Sequence, residues 1–419
     1  MIHHHAIPML ALAACSGLAG VAPAQNGAGL DRIIIDHSLN RQPVRLVSIS
    51  EHTINTIDAA GEAHAIPFDD ILALAPNQDW TPDAPNRPTV LGRGGISSRP
   101  GILELTNGQR LAGAASVVRV DTDSVAWVHP ALGIVRSPID RVSRIIMPRV
   151  MPVSQQTQTL AIEDVDVIRL INGDTLRGFI DHIGSDTTIE LDAGSTISIP
   201  TSSIDQLTLA NEPSARTGTT ISLRDGSVIS IERFAQPDAP NTGRTLCILR
   251  SDSFQQPFDT SPASEANTPP EPLGFEIDLD QITTINFDPE QLLPLASIIP
   301  TTEGRDIIID HSAPAILGAS TIELPGPMRS TWNLPKGARA IAMTAELPLE
   351  ARAWGNLDLI ISIDSKERQK IHLSASNPQA SIRLDSPNAH TLEITLEQGP
   401  FGPIQNRVHL RQAVVSVAR

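Results

Sequence analysis

Two copies of one hexapeptide contain the residue types of a hydrolytic triad. Residues 33–38 are Ile-Ile-Ile-Asp-His-Ser, and residues 307–312 repeat them unchanged. A catalytic triad needs a nucleophile, a base and an orienting acid that converge from different loops, which adjacent residues cannot do. The chain also has no Gly-x-Ser-x-Gly nucleophile elbow. Each copy is therefore interpreted as a β-branched strand that runs into a turn, and no catalytic residue is predicted.

Metal chemistry has little support in the sequence. After residue 30 there is no His-x-His, His-Glu-x-x-His or cysteine pair, so no zinc site is predicted. The acidic runs 121–123 and 163–166 could supply oxygen ligands to Ca²⁺. They lack the glycine and distal glutamate of a calcium loop, which favours solvated turn carboxylates. Acidic residues occur throughout the chain, so no pair stands out as the acid and base of a glycosidase. No metal and no cofactor are predicted.

The tryptophans are the side chains that point to a ligand. An exposed indole can stack on the C–H face of a sugar ring. Trp354 precedes Gly355 and Asn356 in a predicted loop, and Trp332 lies in a predicted strand. We name Trp354, Asn356 and Trp332 as candidate ligand-binding residues, with burial in a core as the alternative for both tryptophans. The chain has no tyrosine, which glycan sites commonly use.

Charge and cysteine content limit the partners. The net charge of −16 opposes binding to nucleic acid or to anionic lipid, because both need clustered Lys and Arg. The expected partners are a polysaccharide or glycan and other envelope proteins. Of the two cysteines, Cys247 lies between Leu246 and Ile248 and is predicted to be a small buried hydrophobe.

The N-terminus predicts export. Residues 1–24 contain an apolar stretch and end in Ala-Pro-Ala, a small-x-small cleavage site, which indicates a signal peptide. As an alternative, residues 12–15 resemble the lipobox of bacterial lipoproteins, in which Cys15 is acylated. A lipid anchor on Cys15 is the only predicted membrane contact. The expected location is periplasmic, cell-surface or extracellular.

A repeated phrase dominates the mature chain. Leu-x-Asn-Gly-x-x-Leu-x-Gly occurs around Asn107 and again around Asn172, 65 positions later, and the same shift aligns Ile139 with Ile204 without a gap. A fixed period indicates one structural unit used several times. Asn-Gly favours a tight hairpin, short alternating strands follow, and the closing phrase fits one helical turn before a last strand. Four β repeats are predicted at 31–75, 102–148, 160–210 and 218–287, with a Pro-rich linker at 76–101 and a Pro/Ser-rich insert at 235–274.

The last part of the chain, 305–419, has a denser strand pattern. Residues 357–363 alternate apolar and polar side chains, and three further segments continue the pattern. Seven or eight strands in about 115 residues are typical of a jelly-roll sandwich. The predicted fold is all-β, with tandem small β-barrel-like repeats followed by a C-terminal jelly-roll β-sandwich.

Two family resemblances accompany this pattern. Residues 329–338, Arg-Ser-Thr-Trp-Asn-Leu-Pro-Lys-Gly-Ala, and the segment 354–364 resemble the NPCBM family of carbohydrate-binding modules over about a quarter of the chain, with Ser365 where that family usually has glycine. The resemblance implies a jelly-roll domain of the kind attached to exported glycan-active proteins. The Asn-Gly phrase is similar to the first motif of Sm-like and SH3-like small barrels. The Asp-x-x-Met-Asn phrase of RNA-binding members is absent, so this likeness concerns turn and barrel geometry only.

Three functions are compatible with these observations. The first is an exported, non-catalytic bacterial envelope protein with a glycan-binding C-terminal module. The second is a structural or protein-interaction scaffold of the cell envelope, because repeated edge strands and Pro-rich loops offer docking surfaces. The third, with the least support, is a glycan-active hydrolase.

Overall fold

The computed structural model describes residues 30–77, 96–113, 119–121, 124–152, 164–191, 194–214, 217–235, 243–250, 274–310, 317, 320–397, 399 and 406–418. The only helical elements in these ranges are four 3₁₀ turns of three residues each, which confirms the all-β fold class. No helix in the described part has the length and apolarity to cross a bilayer. The predicted signal peptide with Cys15 lies outside the described residues.

The first repeat unit shows the strand plan that units 3 and 4 repeat, whereas in unit 2 the three strands between residues 119 and 138 form a separate sheet. Its first strand ends in a turn where Asp36 Oδ1 accepts the backbone N–H groups of Ser38 and Asn40, at 2.8 and 2.9 Å. Three antiparallel strands follow, and a 3₁₀ turn then directs the last strand to the free edge of the first. This pairing closes the sheet as in a small barrel. The elements are β1 Leu30–Ile35, β2 Arg41–Ile49, β3 Thr53–Ile57, β4 Ala63–Pro67, the 3₁₀ turn Phe68–Asp70 and β5 Ala73–Pro76.

Units 2 and 3 contain the predicted hairpins and helical turns. Gly108 and Gly173 have φ angles of 77° and 92°, a backbone region that glycine enters without strain. A short ladder of β6 (Ile96–Arg99) and β13 (Arg149–Pro152) flanks unit 2, so β6 lies within the segment predicted as a linker. The elements of unit 2 are β6 Ile96–Arg99, β7 Gly101–Leu105, β8 Arg110–Gly113, β9 Arg119–Asp121, β10 Ser124–His129, β11 Gly133–Pro138, the 3₁₀ turn Ile139–Arg141, β12 Val142–Ile146 and β13 Arg149–Pro152. The elements of unit 3 are β14 Asp166–Leu170, β15 Thr175–His182, β16 Asp186–Leu191, β17 Thr196–Pro200, the 3₁₀ turn Thr201–Ser203 and β18 Ile204–Thr208.

The gapless alignment of Ile139 with Ile204 is wrong. Ile139 opens the 3₁₀ turn of unit 2, whereas Ile204 opens the last strand of unit 3. Pro138 and Pro200 each precede the turn with φ near −55°, and they fix its start in both units. The structural equivalent of Ile139 is therefore Thr201, and unit 3 is three residues shorter.

Unit 4 has the same strand order as unit 1 and differs from it in the turn before the last strand. A plain turn at 279–281 replaces the 3₁₀ turn. Part of the predicted insert 235–274 is the strand β21, which contributes Cys247 to the core. Cys247 is fully buried, as predicted, and burial raises the pKa of its thiol far above the ordinary value. The elements are β19 Thr219–Leu223, β20 Val228–Ala235, β21 Arg244–Leu249, β22 Gly274–Asp278 and β23 Ile282–Asn286.

The units join in pairs through their last strands. β12 of unit 2 pairs antiparallel with β18 of unit 3 around Ile145 and Leu207. β5 of unit 1 pairs antiparallel with β23 of unit 4 around Leu74 and Ile285. These four residues occupy the same position in their units, so each contact is a two-fold-like pairing of equivalent surfaces. Buried residues of all four units form one hydrophobic cluster, and the repeats are one body rather than separate beads.

Units 2 and 4 meet through their second strands. Arg110 in β8 lies opposite its structural equivalent, Val228 in β20. The Gln109 side chain accepts the Ser230 N–H at 2.8 Å, and Ser227 Oγ accepts the Ala112 N–H at 2.9 Å. Gln109 is equivalent to Ser227 and Ala112 to Ser230, so this second-strand interface is also two-fold-like. The spatial order of the units is therefore 3-2-4-1.

The C-terminal domain is a β-sandwich whose inner sheet rests on unit 1. Ala340 and Ala342 in the inner sheet are small enough to let it approach Ile35 and Leu72 closely, and Arg383 Nε donates to the Ser38 carbonyl at 2.9 Å. The inner sheet has the order β26-β27-β34-β29-β32 with β24 beside β34, and the outer sheet is β25-β28-β33-β30-β31. The elements are β24 Leu292–Pro294, the 3₁₀ turn Leu295–Ser297, β25 Thr301–Glu303, β26 Ile308–Asp310, β27 Thr321–Pro325, β28 Met328–Asn333, β29 Ala338–Glu346, β30 Asn356–Ile363, β31 Lys366–Ser374, β32 Gln379–Asp385, β33 Thr391–Leu396 and β34 Arg407–Val417.

Candidate ligand-binding site

Trp332 is a core residue, which corrects its place among the candidate ligand-binding residues. It is 0% exposed and lies in β28 opposite Leu392. Alternate residues of a strand face the same side of a sheet, and Met328 and Ser330 are buried with it between the two sheets. An indole enclosed on this face cannot stack on a ligand from solvent.

Trp354 lies on the surface, in the loop between β29 and β30. Its side chain is 64% exposed, and Leu349 in the same loop is also exposed. Leu347 and Ala351 hold the loop from below, since both are fully buried. The loop therefore presents a large aromatic side chain to solvent although its anchors are packed in the sandwich.

Backbone hydrogen bonds give this loop a fixed shape. The Ala351 N–H donates to the Pro348 carbonyl at 2.8 Å, and the Gly355 N–H donates to the Ala351 carbonyl at 2.6 Å. A Cβ atom on Gly355 would lie 2.8 Å from the backbone carbonyl oxygen of Ala351, so this position favours glycine. A preformed loop reduces the ordering entropy that a ligand has to offset on binding.

Asn356 begins β30 and leads from this loop to a row of charged side chains on the outer sheet. Asn356 is half-buried and lies opposite Ser374. Two residues further along β30, Asp358 accepts a hydrogen bond from His372 Nδ1 at 2.8 Å. Lys370 Nζ lies 3.0 Å from Asp358 and 3.1 Å from Glu397.

These contacts favour the charged forms of Asp358 and Lys370. Hydrogen bonds from His372 and then from Lys370 lower the pKa of Asp358 below its usual range. Hydrogen bonds to Asp358 and then to Glu397 raise the pKa of Lys370. The carboxylate is therefore ionised at neutral pH, and the Nδ1–H of His372 points at it. The Nε2 atom of this exposed imidazole is on the opposite side of the ring.

The repeated Asp-His-Ser motif forms no catalytic site where the structure describes it. The Asp36 carboxylate accepts backbone N–H groups in its own turn. The His37 ring contacts the Asp69 carbonyl at 2.9 Å. Residues 311 and 312 of the second copy lie outside the described residues, and Ile308–Asp310 form a strand. The interpretation as a strand and turn fits the first copy.

A different Asp-His-Ser group appears where units 2 and 4 meet. His129 Nε2 lies 2.8 Å from Ser227 Oγ and 3.3 Å from Asp225 Oδ2. In a triad the histidine uses one nitrogen for the serine and the other for the acid. Here both partners share Nε2, and Nδ1 accepts the backbone N–H groups of Ala131 and Leu132. Because His129 and Ser227 are fully buried, the group is interpreted as a structural link.

Local sequence patterns do not predict this link, because His129 and Ser227 are 98 positions apart. The available sequence signal was the alignment of Asp225-Gly226-Ser227 with the Asn-Gly hairpins of units 2 and 3, which predicts a hairpin turn at these residues. Burial alone would raise the pKa of Asp225, but the hydrogen bonds from His129 and Ser227 outweigh it and lower that pKa.

In the described part of the chain, one group of side chains could hold a metal ion. Oxygen and nitrogen atoms of Asp58, Glu62 and His64 lie within 4.8 Å of one another in the hairpin of β3 and β4. The group is exposed, and Asp58 already accepts the N–H groups of Ala60 and Glu62.

Asp166, from the acidic run 163–166, accepts the N–H groups of two distant residues instead of facing solvent. Residues 122, 123 and 163 lie outside the described ranges.

Comparison with known proteins identifies no family. No family profile matches the chain, and no curated protein sequence matches it. It is similar to a family 51 carbohydrate-binding module of Clostridium perfringens in complex with methyl-galactose, at 10% identity over 30% of this chain and 99% of that chain, with a TM-score of 0.26. It is also similar to a second family 51 module with INT domains from that species, in complex with GlcNAc, at 10% identity over 47% of this chain and 43% of that chain, with a TM-score of 0.27.

A family 35 carbohydrate-binding module of Clostridium thermocellum matches at 10% identity over 30% of this chain and 97% of that chain, with a TM-score of 0.22. At these values the likenesses assign neither a family nor a ligand to this chain.

Proposed function

We propose that the sandwich domain binds glycan through Trp354. The observation that carries this proposal is a large indole held in solvent by a loop whose neighbours Leu347 and Ala351 are fully buried. Leu349 in the same loop is also exposed, and exposed apolar surface of more than one side chain is a common sign of a binding site. The resemblance of residues 329–338 and 354–364 to carbohydrate-binding modules supports the same function.

The chemistry of the surrounding side chains suits a sugar. The indole face would take the C–H face of the ring, and hydroxyl groups need donors and acceptors beside it. Asn356 follows Trp354 in the chain and offers both through its amide group. His372 offers Nε2, since Asp358 holds Nδ1. Trp332 is buried and takes no part in this site. The further contacts to a sugar would come from Asp358, Lys370 and His372 on β30 and β31.

We further propose that the protein is exported, as its N-terminal segment predicts, and that it is a non-catalytic protein of the bacterial envelope. A glycan-binding domain fixed to a rigid four-unit body would attach that body to a polysaccharide. The scaffold function is the second candidate, and it is favoured by the single core that all four units share.

Affinity electrophoresis of the purified protein through gels that contain bacterial and plant polysaccharides tests glycan binding. We expect at least one polysaccharide to retard the protein and Trp354→Ala to remove most of the retardation. The matched control is Ile134→Ala, which removes an exposed large apolar side chain from unit 2. Equal retardation of wild type and Trp354→Ala, or equal loss in both variants, would exclude a specific site at Trp354.

A further inference from the structure

A groove opens to solvent where unit 2 meets unit 3, at the end of the row of units that is away from the sandwich domain. Its volume is about 740 Å³. Ligand-binding clefts have volumes of about 300–1,000 Å³. One wall is the 3₁₀ turn of unit 2 with Ile139 and Asp140, and the other walls come from β14, β15, β16 and the segment after β18 in unit 3. No residue of the proposed glycan site lines this groove.

Hydrogen bonds hold the walls of the groove in place. Asn211 Nδ2 donates to the Ile139 carbonyl at 2.8 Å, and this bond ties the turn of unit 2 to unit 3. The Asp166 carboxylate accepts the N–H groups of Ile180 and Ala210, at 2.9 and 2.8 Å. The groove is therefore preformed, which reduces the ordering entropy that an occupant has to offset on binding.

An exposed aromatic side chain lies beside a carboxylate in this groove. Phe179 lines the groove and is 65% exposed. Glu190 of β16 lies directly opposite Phe179 in the register of β15 with β16, and directly opposite side chains share one face of a sheet. A guanidinium group can stack on an aromatic ring and donate its N–H groups to a neighbouring carboxylate. The pair of Phe179 and Glu190 is therefore suited to an arginine side chain.

The charged side chains that line the groove are all acidic. Asp140, Asp164 and Glu190 are exposed there. Among the described residues, no lysine, arginine or histidine lines the groove, and none forms an ion pair with these three carboxylates. Arg141 and Arg177 are next to lining residues in the chain, but they have other partners and do not line the groove. A cationic occupant would complement this surface.

The spacing of the carboxylates favours a chain with several cationic groups over a single metal ion. In the described residues, only Asp58, Glu62 and His64 of unit 1 form a group of three whose ligand atoms all lie within 4.8 Å of one another. The three carboxylates of the groove are therefore more widely spaced than such a group. Alternate side chains of an extended peptide face the same side at a spacing of about 6.4–6.8 Å, so basic residues on one peptide can reach separate carboxylates.

We propose that this groove binds an extended, arginine-containing segment of a partner protein. One arginine stacks on Phe179 and donates to Glu190, and basic side chains on either side of it face Asp140 and Asp164. The proposal gives a binding site to the scaffold function. It is independent of glycan binding through Trp354, so either proposal can fail without the other.

Fluorescence anisotropy with the full-length protein tests the proposal. The probe is a labelled peptide in which four arginines alternate with glycines, and the matched peptide has neutral citrulline in place of each arginine. At about 50 mM NaCl, where charges are weakly screened, we expect a micromolar dissociation constant for the arginine peptide and a value at least about tenfold higher for the citrulline peptide. Phe179→Ala should raise the dissociation constant about two- to fivefold, and Glu190→Gln should raise it at least about fivefold.

A matched variant and a second ligand make the result specific. Glu232→Gln makes the same charge change at an exposed strand position of unit 4 and should leave the dissociation constant unchanged. All three side chains are exposed, so each variant should keep the wild-type melting temperature. Failure of the wild type to bind the arginine peptide overturns the proposal, as does equal binding of the two peptides or an unchanged affinity in Phe179→Ala.

Two further outcomes would also overturn it. Equal weakening by Glu190→Gln and Glu232→Gln would show a general attraction of basic peptides to a protein with a net charge of −16. Spermine that binds as tightly as the arginine peptide, with the same dependence on Phe179 and Glu190, would make the occupant a small polyamine instead of a protein segment.

Discussion

Replacement of Leu207 by alanine tests whether the four repeat units unfold together. Leu207 is fully buried in β18, opposite Ile168 of its own unit and Ile145 of unit 2. The substitution removes three carbon atoms, at about 0.8 kcal/mol each from lost burial. The cavity left between three paired strands adds to this, for a total loss of about 3–4 kcal/mol.

The expected readout is a shift of one transition. If the four units share a core, scanning calorimetry should show the whole repeat body melting about 6–16 °C lower in Leu207→Ala, since a domain of 150–250 residues loses about 2–4 °C per kcal/mol. Ile197→Ala is the control, because Ile197 lies partly exposed on the edge strand β17 of the same unit. Its loss should stay below about 1 kcal/mol.

Proteolysis followed by mass spectrometry locates the effect. In a cooperative body, peptides of unit 1 lose protection together with peptides of unit 3, although unit 1 lies at the far end of the row. The double variant with Ile145→Ala should be non-additive by about 0.5–3 kcal/mol, because the two side chains face each other. If unit 1 keeps wild-type protection while unit 3 is cleaved, the units are independent and the shared-core argument is refuted.

Three further substitutions follow from the structure. Gly178→Ala would place a Cβ 2.0 Å from the Glu190 carbonyl oxygen, so chemical denaturation should show a loss of at least about 3 kcal/mol. Asp205→Asn neutralises a buried carboxylate that pairs with two arginines at the contact of units 2 and 3, and the same assay should show a loss of about 3–5 kcal/mol. Asp225→Asn tests pH dependence: burial raises the pKa of Asp225 but the hydrogen bond from His129 helps to lower it overall. The ionised Asp225 carboxylate therefore stabilises the fold fully above the pKa of about 4 that it has in the unfolded chain, and this stabilisation is lost as the pH falls through its lower pKa in the folded protein. Wild type and Asp225→Asn should therefore converge in stability below about pH 4.

Much of the repeat architecture could be predicted from local sequence. The Asn-Gly and Asp-Gly pairs predict hairpins because they tolerate positive φ, and Gly108, Gly173 and Gly226 have it. The phrase that closes each unit predicts a helical turn, which is a 3₁₀ turn in the first three units. These signals are local, since each depends on a few consecutive residues.

Contacts between units were beyond local sequence reasoning. The two-fold-like pairings of Ile145 with Leu207 and of Leu74 with Ile285 join residues whose sequences show only ordinary buried strands. The incorrect alignment of Ile139 with Ile204 has a related cause. Similar residues at a constant shift suggested a match, while the proline before each turn sets the true register.

Burial decided between the two tryptophan candidates, and the sequence could not. Trp332 and Trp354 both neighbour strand segments with alternating apolar residues. Strand alternation places Trp332 between the sheets, whereas Gly355 and the anchors of its loop turn Trp354 outward. The charged row of Asp358, Lys370 and His372 was missed, because its members come from two strands and meet only through the register of β30 with β31.

Tryptophan fluorescence tests the glycan-binding proposal most directly. Trp127 and Trp332 are buried, so added glycan should leave their emission unchanged, whereas an indole covered by sugar should shift its emission. The fourth tryptophan, Trp80, lies outside the described residues, and Trp80→Phe is therefore the control. A polysaccharide that retards the protein should change the emission of wild type and of Trp80→Phe, and it should cause no change in Trp354→Phe. A change that persists in Trp354→Phe would show that the ligand binds elsewhere and would contradict the account.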